Sequence, residues 1–388
     1  MSAGRVTVQG LGHFGGGAGV ARFLAKEGWR VTVTDLQTAE ELRDPVASLN
    51  DVEVRFVLGR HEEPDFTDTD LVVANPAVSP RNPLLVAARA AGVRVVSEVG
   101  LFLERAPGRI AAVTGTQGKS STAHFLHQLL LQADIPARFG GNIGGSLLDA
   151  LPLISAQEVC VVELSSYQLE SLASESLSNR LDLAIITNLR EDHLERHGTV
   201  DAYHAAKLEL AGLLTEGAPL LMGPGVLERA QTLSAATLAR VEPLEIGSAL
   251  RIEQERFHLQ AEPLGELEHA QHLPLFQREN ILLALAAARL LGASAKALAT
   301  SVQTLGGLSH RLEDLGERAG RRVYDNGVST TPDSTRSALL ALPDRVTLLA
   351  GGEAKSLPID SLVETARERA RHVVLFGAAA DTWATPCS

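Results

Sequence analysis

The sequence predicts an α/β protein of three domains: a Rossmann-like N-terminal parallel sheet, a central P-loop-type ATPase sheet and a shortened Rossmann-like C-terminal domain. Three observations carry this reading. The 388 residues exceed what one ordinary core organises. Strand-like runs alternate with helical ones almost from end to end, as in parallel strands joined by covering helices. Two glycine turns, at 10–15 and 115–118, each stand between a strand and a helix. RAPGR at 105–109 reads as a linker and GGLSHRLEDL at 306–315 as a joint, so the domains run 1–108, 109–307 and 308–388.

The first domain reads as strand RVTVQG, glycine turn, helix and strand RVTVTD, then VEVRFVLG, DLVVANPAV, a helix through LLVAARAAG and VRVVSE. The second opens on IAAVTG and continues with VCVVELSS, LDLAIITN, a helix around DAYHAAKLELAGLL, a β-like middle and a helix from Asn280. The third holds RRVYDNG, VTLLAGG, a helix through VETARERA and VVLFGAA.

Composition excludes several classes. Hydrophobic residues are 45% and aromatics 4%, so the cores rest on aliphatic packing. The net charge of −12 (35 basic, 47 acidic) argues against nucleic acid or an anionic membrane as partner. Cys160 and Cys387 form no metal-type pair, which points to a reducing cytoplasm. The start enters a strand without an apolar signal core, and NILLALAAARLLGA is short and broken by Arg289, so no membrane insertion is expected.

GLGHFG fits G-x-G-x-x-G, with Asp35 ending the next strand twenty residues after Gly15. Such glycines allow a tight turn and a close backbone approach to a pyrophosphate at a helix N-terminus. Further glycines at 16, 17 and 19 loosen the match. Two readings stay open: a nucleotide loop, as in an NAD-linked oxidoreductase, or a bare glycine turn.

VTGTQGKSST departs from the usual P-loop spacing, which would need glycine where Val113 stands; the nearest is Gly115. Gly115 and Gly118 still permit a backbone nest for phosphate oxygens. Lys119 would neutralise the β/γ-phosphates and the Ser120 hydroxyl would reach Mg²⁺. Glu163 ends an apolar strand, where burial demands a positive partner, and Mg²⁺ is the natural one. His193 falls just past another strand end, with a site role and a surface role evenly balanced. Lys207 sits in a helical pattern, and spacing alone marks it as a solvated lysine.

Taken together, VTGTQGKSST, GGNIGGSLL, VVELSSYQLE, TNLREDHLERHGT with AAKLEL, QRENILLALAAA, LSHRLEDL, DNGVSTTPDST and LAGGEAKS resemble the Mur ligases, ATP-dependent amide-forming enzymes of peptidoglycan precursor synthesis, and ELSSYQLE resembles the D-glutamate-adding branch. The matches keep the family's order and cover most of the chain. A folate-type polyglutamate ligase shares the ATP domain but not the N-terminal glycine-loop domain.

The resemblance implies ATP, UDP-N-acetylmuramoyl-L-alanine and D-glutamate as reactants, two Mg²⁺ sites and a monomer. It implies an ATP loop of Gly115, Thr116, Gln117, Gly118, Lys119, Ser120 and Ser121, with Asn280, Arg311 and Asn326 on the nucleotide. Asn142 would lie near the γ-phosphate, and Ser120, Glu163 and His193 would be metal ligands. Lys207 would be carbamylated and face a metal, and Lys355 would bind D-glutamate. Gly10, Leu11, Gly12, His13, Phe14, Gly15 and Asp35 would hold the UDP end of the substrate.

Against the family's pattern, Gln117 replaces Asn, Ser121 replaces Thr, and Arg190 stands where a small hydroxyl residue is common. Asn326 occupies the ribose-contacting aspartate position, with Asp325 one place early, so ATP binding is expected to be weaker. The chain stops where the family runs on through further strands and helices, so apolar strand edges should be exposed. A catalytically impaired nucleotide-binding relative stays open beside the ligase.

Overall fold

A computed structural model describes residues 4–13, 15–142, 146–175, 177–270, 273, 277–353, 358–380 and 383–384. β1 (Arg5–Gln9), β2 (Arg30–Asp35), β3 (Val54–Leu58), β4 (Leu71–Ala74) and β5 (Arg94–Ser97) form a parallel sheet in the order β3-β2-β1-β4-β5. Strand order reverses at β1, so the first glycine turn opens at a switch point, where such sheets take ligands.

The second sheet holds β6 (Arg109–Thr114), β7 (Ala137–Gly141), β8 (Val159–Glu163), β9 (Leu183–Ile186), β10 (Pro219–Met222) and β11 (Glu242–Glu245). Its order is β11-β10-β9-β6-β8-β7, again parallel throughout. β8 and β9 are buried along their whole length, as expected of strands covered on both faces. Alternation along β6 sends Ala111 and Val113 into a core with the helices Lys119–Gln132 and Arg278–Leu290. Ile110 and Ala112 face a second core that continues through Phe102 and Leu24 to Val6 and Val8 of the first sheet.

Glu175 bridges the seam between the sheets. Its Oε1 accepts from the Ser97 N–H at 2.9 Å and the Ser97 hydroxyl at 2.7 Å. A Cβ on Gly100 would fall 1.8 Å from its Oε2, so only glycine leaves room there. Burial pushes the Glu175 carboxyl up to about 7, against the pull of the Ser97 hydrogen bonds.

Three antiparallel strands follow, β12 (Leu250–Glu253), β13 (Arg256–Leu259) and β14 (Glu262–Glu266). RRVYD forms a strand, β16 (Arg321–Asp325), but pairs antiparallel with β15 (Glu313–Arg318). The connection is Ala319-Gly320, both at positive φ, which suits a hairpin and cannot span a parallel crossover. β17 (Val346–Gly351) and β18 (Ala370–Phe376) pair parallel, with Leu349, Val374 and Phe376 exposed. Among the described residues, no helix is long and apolar enough to cross a membrane.

Candidate active site

Register builds the site. β6 lies between β8 and β9, with Val113 opposite Glu163 and Thr114 opposite Ile186. The loop after β6, the Glu163 carboxylate and the segment after β9 therefore emerge together. Beyond the strands, the Leu164 N–H donates to Val113 O at 2.9 Å and Thr187 N–H to Thr114 O at 2.9 Å. A Cβ on Gly115 (φ 142°) would lie 2.0 Å from Thr187 Oγ1, and one on Gly118 (φ 81°) 2.4 Å from Asn280 Oδ1. Both glycines are steric requirements of the loop.

The loop is tied from behind by its carbonyls. Lys207 Nζ donates to Gly115 O at 2.8 Å, Lys119 Nζ to Thr116 O at 2.9 Å, and Asn188 Nδ2 to Gln117 O at 2.9 Å. Asn188 Oδ1 accepts from Gln117 N–H in return. The N–H groups of 118–121 open the helix Lys119–Gln132 and by position have no intrahelical acceptor, which suits an anion.

Glu163 is 1% exposed. Asn142 donates through Nδ2 to its Oε1 at 3.0 Å and through its backbone N–H to Glu163 O. Glu163 Oε2 is buried with no hydrogen-bond partner among the described residues. An orphaned buried carboxylate oxygen is costly, and a hard divalent cation removes that cost, so the donor set fits Mg²⁺. Ser120 is buried, and its hydroxyl accepts from Arg311 Nη2 at 2.9 Å. Glu163 raises the Lys119 pKa while burial, the larger effect, lowers it; the two charges share one site.

Lys207 corrects the expectation from spacing. It is 1% exposed, with Nζ 4.5 Å from the Tyr203 ring centroid. Burial and the neighbouring Lys119 hold its ammonium well below the usual lysine range, opposed by Asp192 and Glu163. Helical spacing could not reveal this, because the helix Val200–Gly212 is enclosed on several faces. His193 takes a left-handed backbone (φ 52°) and stacks edge-on against Tyr167 and Tyr203. Sequence reasoning missed Asp192, which is buried and acts on both Lys119 and Lys207, and Asn188, the clamp on Gln117. Both lie in TNLREDH, whose polar density after an apolar strand was the available signal.

Asn280 accepts from Thr122 Oγ1 at 3.2 Å and donates to Gln277 Oε1 at 2.7 Å. Ser121 accepts from Gln277 Nε2. Asn326 is engaged at both ends of its amide: Oδ1 accepts from Leu312 N–H at 3.0 Å and Nδ2 donates to Ser329 at 2.6 Å. Asp325 pairs with His310 at 2.6 Å. Lys355 and Phe14 lie outside the described residues.

At the first turn, Asp35 Oδ2 accepts from Leu11 N–H at 2.8 Å and Gly12 N–H at 3.3 Å, and Oδ1 accepts from Gln37 N–H at 3.0 Å. The carboxylate shapes the turn. The surplus glycines are packing positions: a Cβ on Gly17 would meet Gly10 O at 2.4 Å, on Gly19 the Ser146 Cβ at 2.4 Å, and on Gly16 Glu98 Oε2 at 2.8 Å. His13 adjoins this turn.

Residues 4–97 match the Mur ligase MurD-like N-terminal domain and residues 113–288 the Mur ligase middle domain. The chain is 36% identical to the UDP-N-acetylmuramoylalanine--D-glutamate ligase of Roseiflexus sp. (strain RS-1), covering 98% of this chain and 84% of the relative. It is 34% identical to the same-named ligase of Geobacter metallireducens, covering 99% and 85%. Among solved structures, the UDP-N-acetylmuramate-alanine ligase of Thermotoga maritima aligns with TM-score 0.62 at 18% identity, over 99% of this chain and 88% of that one. A pseudomurein peptide ligase type C from Methanothermus fervidus aligns with TM-score 0.57 at 16% identity, over 99% and 87%. These structures share the fold. Two domain families in order and near-full-length identity above 30% make this chain a member of the Mur ligase family.

Proposed function

We infer that this chain is an ATP-dependent amide ligase that adds D-glutamate to UDP-N-acetylmuramoyl-L-alanine in the cytoplasm, as a monomer, for peptidoglycan precursor synthesis. The observation that supports it most is the meeting of Lys119, the open helix N-terminus and the orphaned Glu163 oxygen at one sheet edge, in a chain whose relatives carry that ligase name.

In this reading the free carboxylate of the L-alanyl nucleotide attacks the γ-phosphorus of ATP, giving an acyl phosphate and ADP. The amine of D-glutamate then attacks the acyl carbon, phosphate leaves, and the nitrogen loses a proton. Anion meets anion in the first step, so positive charge is essential. Lys119 and the N–H groups of 118–121 would hold the β/γ-phosphates, with Gly115, Thr116, Gln117 and Ser121 shaping the loop. Asn142 would meet the γ-phosphate. Asn280 and Arg311 would contact the nucleotide, and Asn326 would reach the ribose by exchanging its present partners.

Ser120 and Glu163 would hold one Mg²⁺, and His193 with Lys207 would serve a second. Bound magnesium supplies screening of phosphate charge. The depressed Lys207 pKa favours a neutral amine, the form that adds carbon dioxide to become a carbamate and lose a proton, turning a cation into a metal-facing anion. Gly10, Leu11, Gly12, His13, Phe14, Gly15 and Asp35 would receive the UDP end, and Lys355 D-glutamate. The test is ADP release with each substrate omitted in turn: release that needs both acceptor and D-glutamate supports the reading, and release driven by another amino acid overturns it.

A further inference from the structure

We propose that Arg190 is a positioning residue whose ion pair with Asp333 latches the C-terminal unit over the nucleotide loop. The backbone of Arg190 is part of that loop's support: its N–H donates to Thr116 Oγ1 at 3.0 Å, and the same hydroxyl donates to Arg190 O at 3.1 Å. Its side chain leaves the central unit, with Nη1 3.5 Å from Asp333 Oδ2. Asp333 stands in the first turn of the helix Pro332–Ala341, where its negative charge also suits the helix N-terminus. One residue before that helix, Thr331 caps it and accepts from Gln117 Nε2 at 3.5 Å. Two side chains of the nucleotide-loop region thus grip one helix start. Both positions, 117 and 190, are among those at which the sequence departs from the family's pattern.

The grip has a mechanical consequence. The same C-terminal unit carries Arg311, whose Nη2 reaches Ser120 Oγ, so a shift of the helix Pro332–Ala341 moves Arg311 relative to the loop. Arg190 touches no reactant in this account. It acts through the placement of Arg311 against the loop, and so rests on the function proposed above. Arg190 and Asp333 are 47% and 46% exposed, so the pair is screened by salt and shifts the open–closed balance by roughly fivefold at most.

The experiment compares Arg190→Glu, Asp333→Arg, their combination and Arg190→Lys with the wild type. Each single reversal should raise KM for ATP about fivefold with kcat little changed, the combination should recover most of the loss, and Arg190→Lys should stay near wild type. The differences should fade in high salt. Small-angle scattering of the same proteins without substrate should show the single reversals more extended and the combination compact again. Scattering needs no assumption about the reactants, so it separates failure of the latch from failure of the ligase reading. Single reversals that match wild type in both readouts, or a combination that recovers neither, would overturn the latch.

Discussion

The two glycine turns are built alike and furnished differently. Each follows a central parallel strand at a switch point and opens a helix through a left-handed glycine, Gly15 at φ 85° and Gly118 at φ 81°. The first is met by carboxylates: Asp35 accepts its N–H groups, and Glu98, its pKa raised by burial, lies against Gly16. The second is met by Lys119, Lys207 and Arg311, with Glu163 and Asp192 among them. In a chain of net charge −12, this is a local collection of basic side chains around an acid oxygen that has no hydrogen-bond partner among the described residues. Glycine spacing therefore states that a backbone turns tightly; the side chains arriving from neighbouring strands state what it can hold.

Substitutions can break that contrast. The largest effect is expected from Lys119→Ala, which should lower ADP release about a thousandfold, measured by coupled assay. The equivalent assault on the first turn, Asp35→Asn, should leave kcat near wild type and raise KM for the UDP-linked substrate. A large fall in kcat with Asp35→Asn would erase the distinction between the turns. Gly118→Ala against Gly15→Ala is a finer comparison. The first would drive a Cβ to 2.4 Å from Asn280 Oδ1, while among the described residues nothing beyond the chain neighbours lies within 4 Å of the second. Both bear left-handed strain of about 1 kcal/mol, but ATP affinity by calorimetry should fall more than tenfold only for Gly118→Ala.

At the seam between the two sheets, Glu175 gives a pH signature. Its folded carboxyl ionises near 7, above its unfolded value, so the native state holds the extra proton between those values. Stability must then fall as pH rises from about 4.5 towards 7 and level off above it. Glu175→Gln should remove that component and gain about 2 kcal/mol at pH 8 while differing little at pH 4, read from denaturant midpoints. Equal curves at both pH values would contradict the assigned burial.

Much of this was legible in the sequence. The parallel sheets follow from strand–helix alternation, and Glu163 was found because a charge ending an apolar strand is a local anomaly. Register then places it opposite Val113, which sequence cannot state. Lys207 was illegible because its burial depends on a helix enclosed by partners far along the chain. The glycines at 16, 17 and 19 obscured the first motif because their reason is steric contact with Glu98, the turn backbone and Ser146. The antiparallel pairing of β15 with β16 was hidden because Ala319 takes a conformation its residue type does not advertise.

Binding of ATP titrated with and without Mg²⁺, in wild type and Glu163→Gln, tests most directly whether the cradle and the strand-end carboxylate hold one nucleotide–metal unit. Magnesium should tighten ATP binding in the wild type by about tenfold or more, and the isosteric amide should abolish that gain while leaving metal-free binding in place. An unchanged magnesium response in Glu163→Gln would contradict the account.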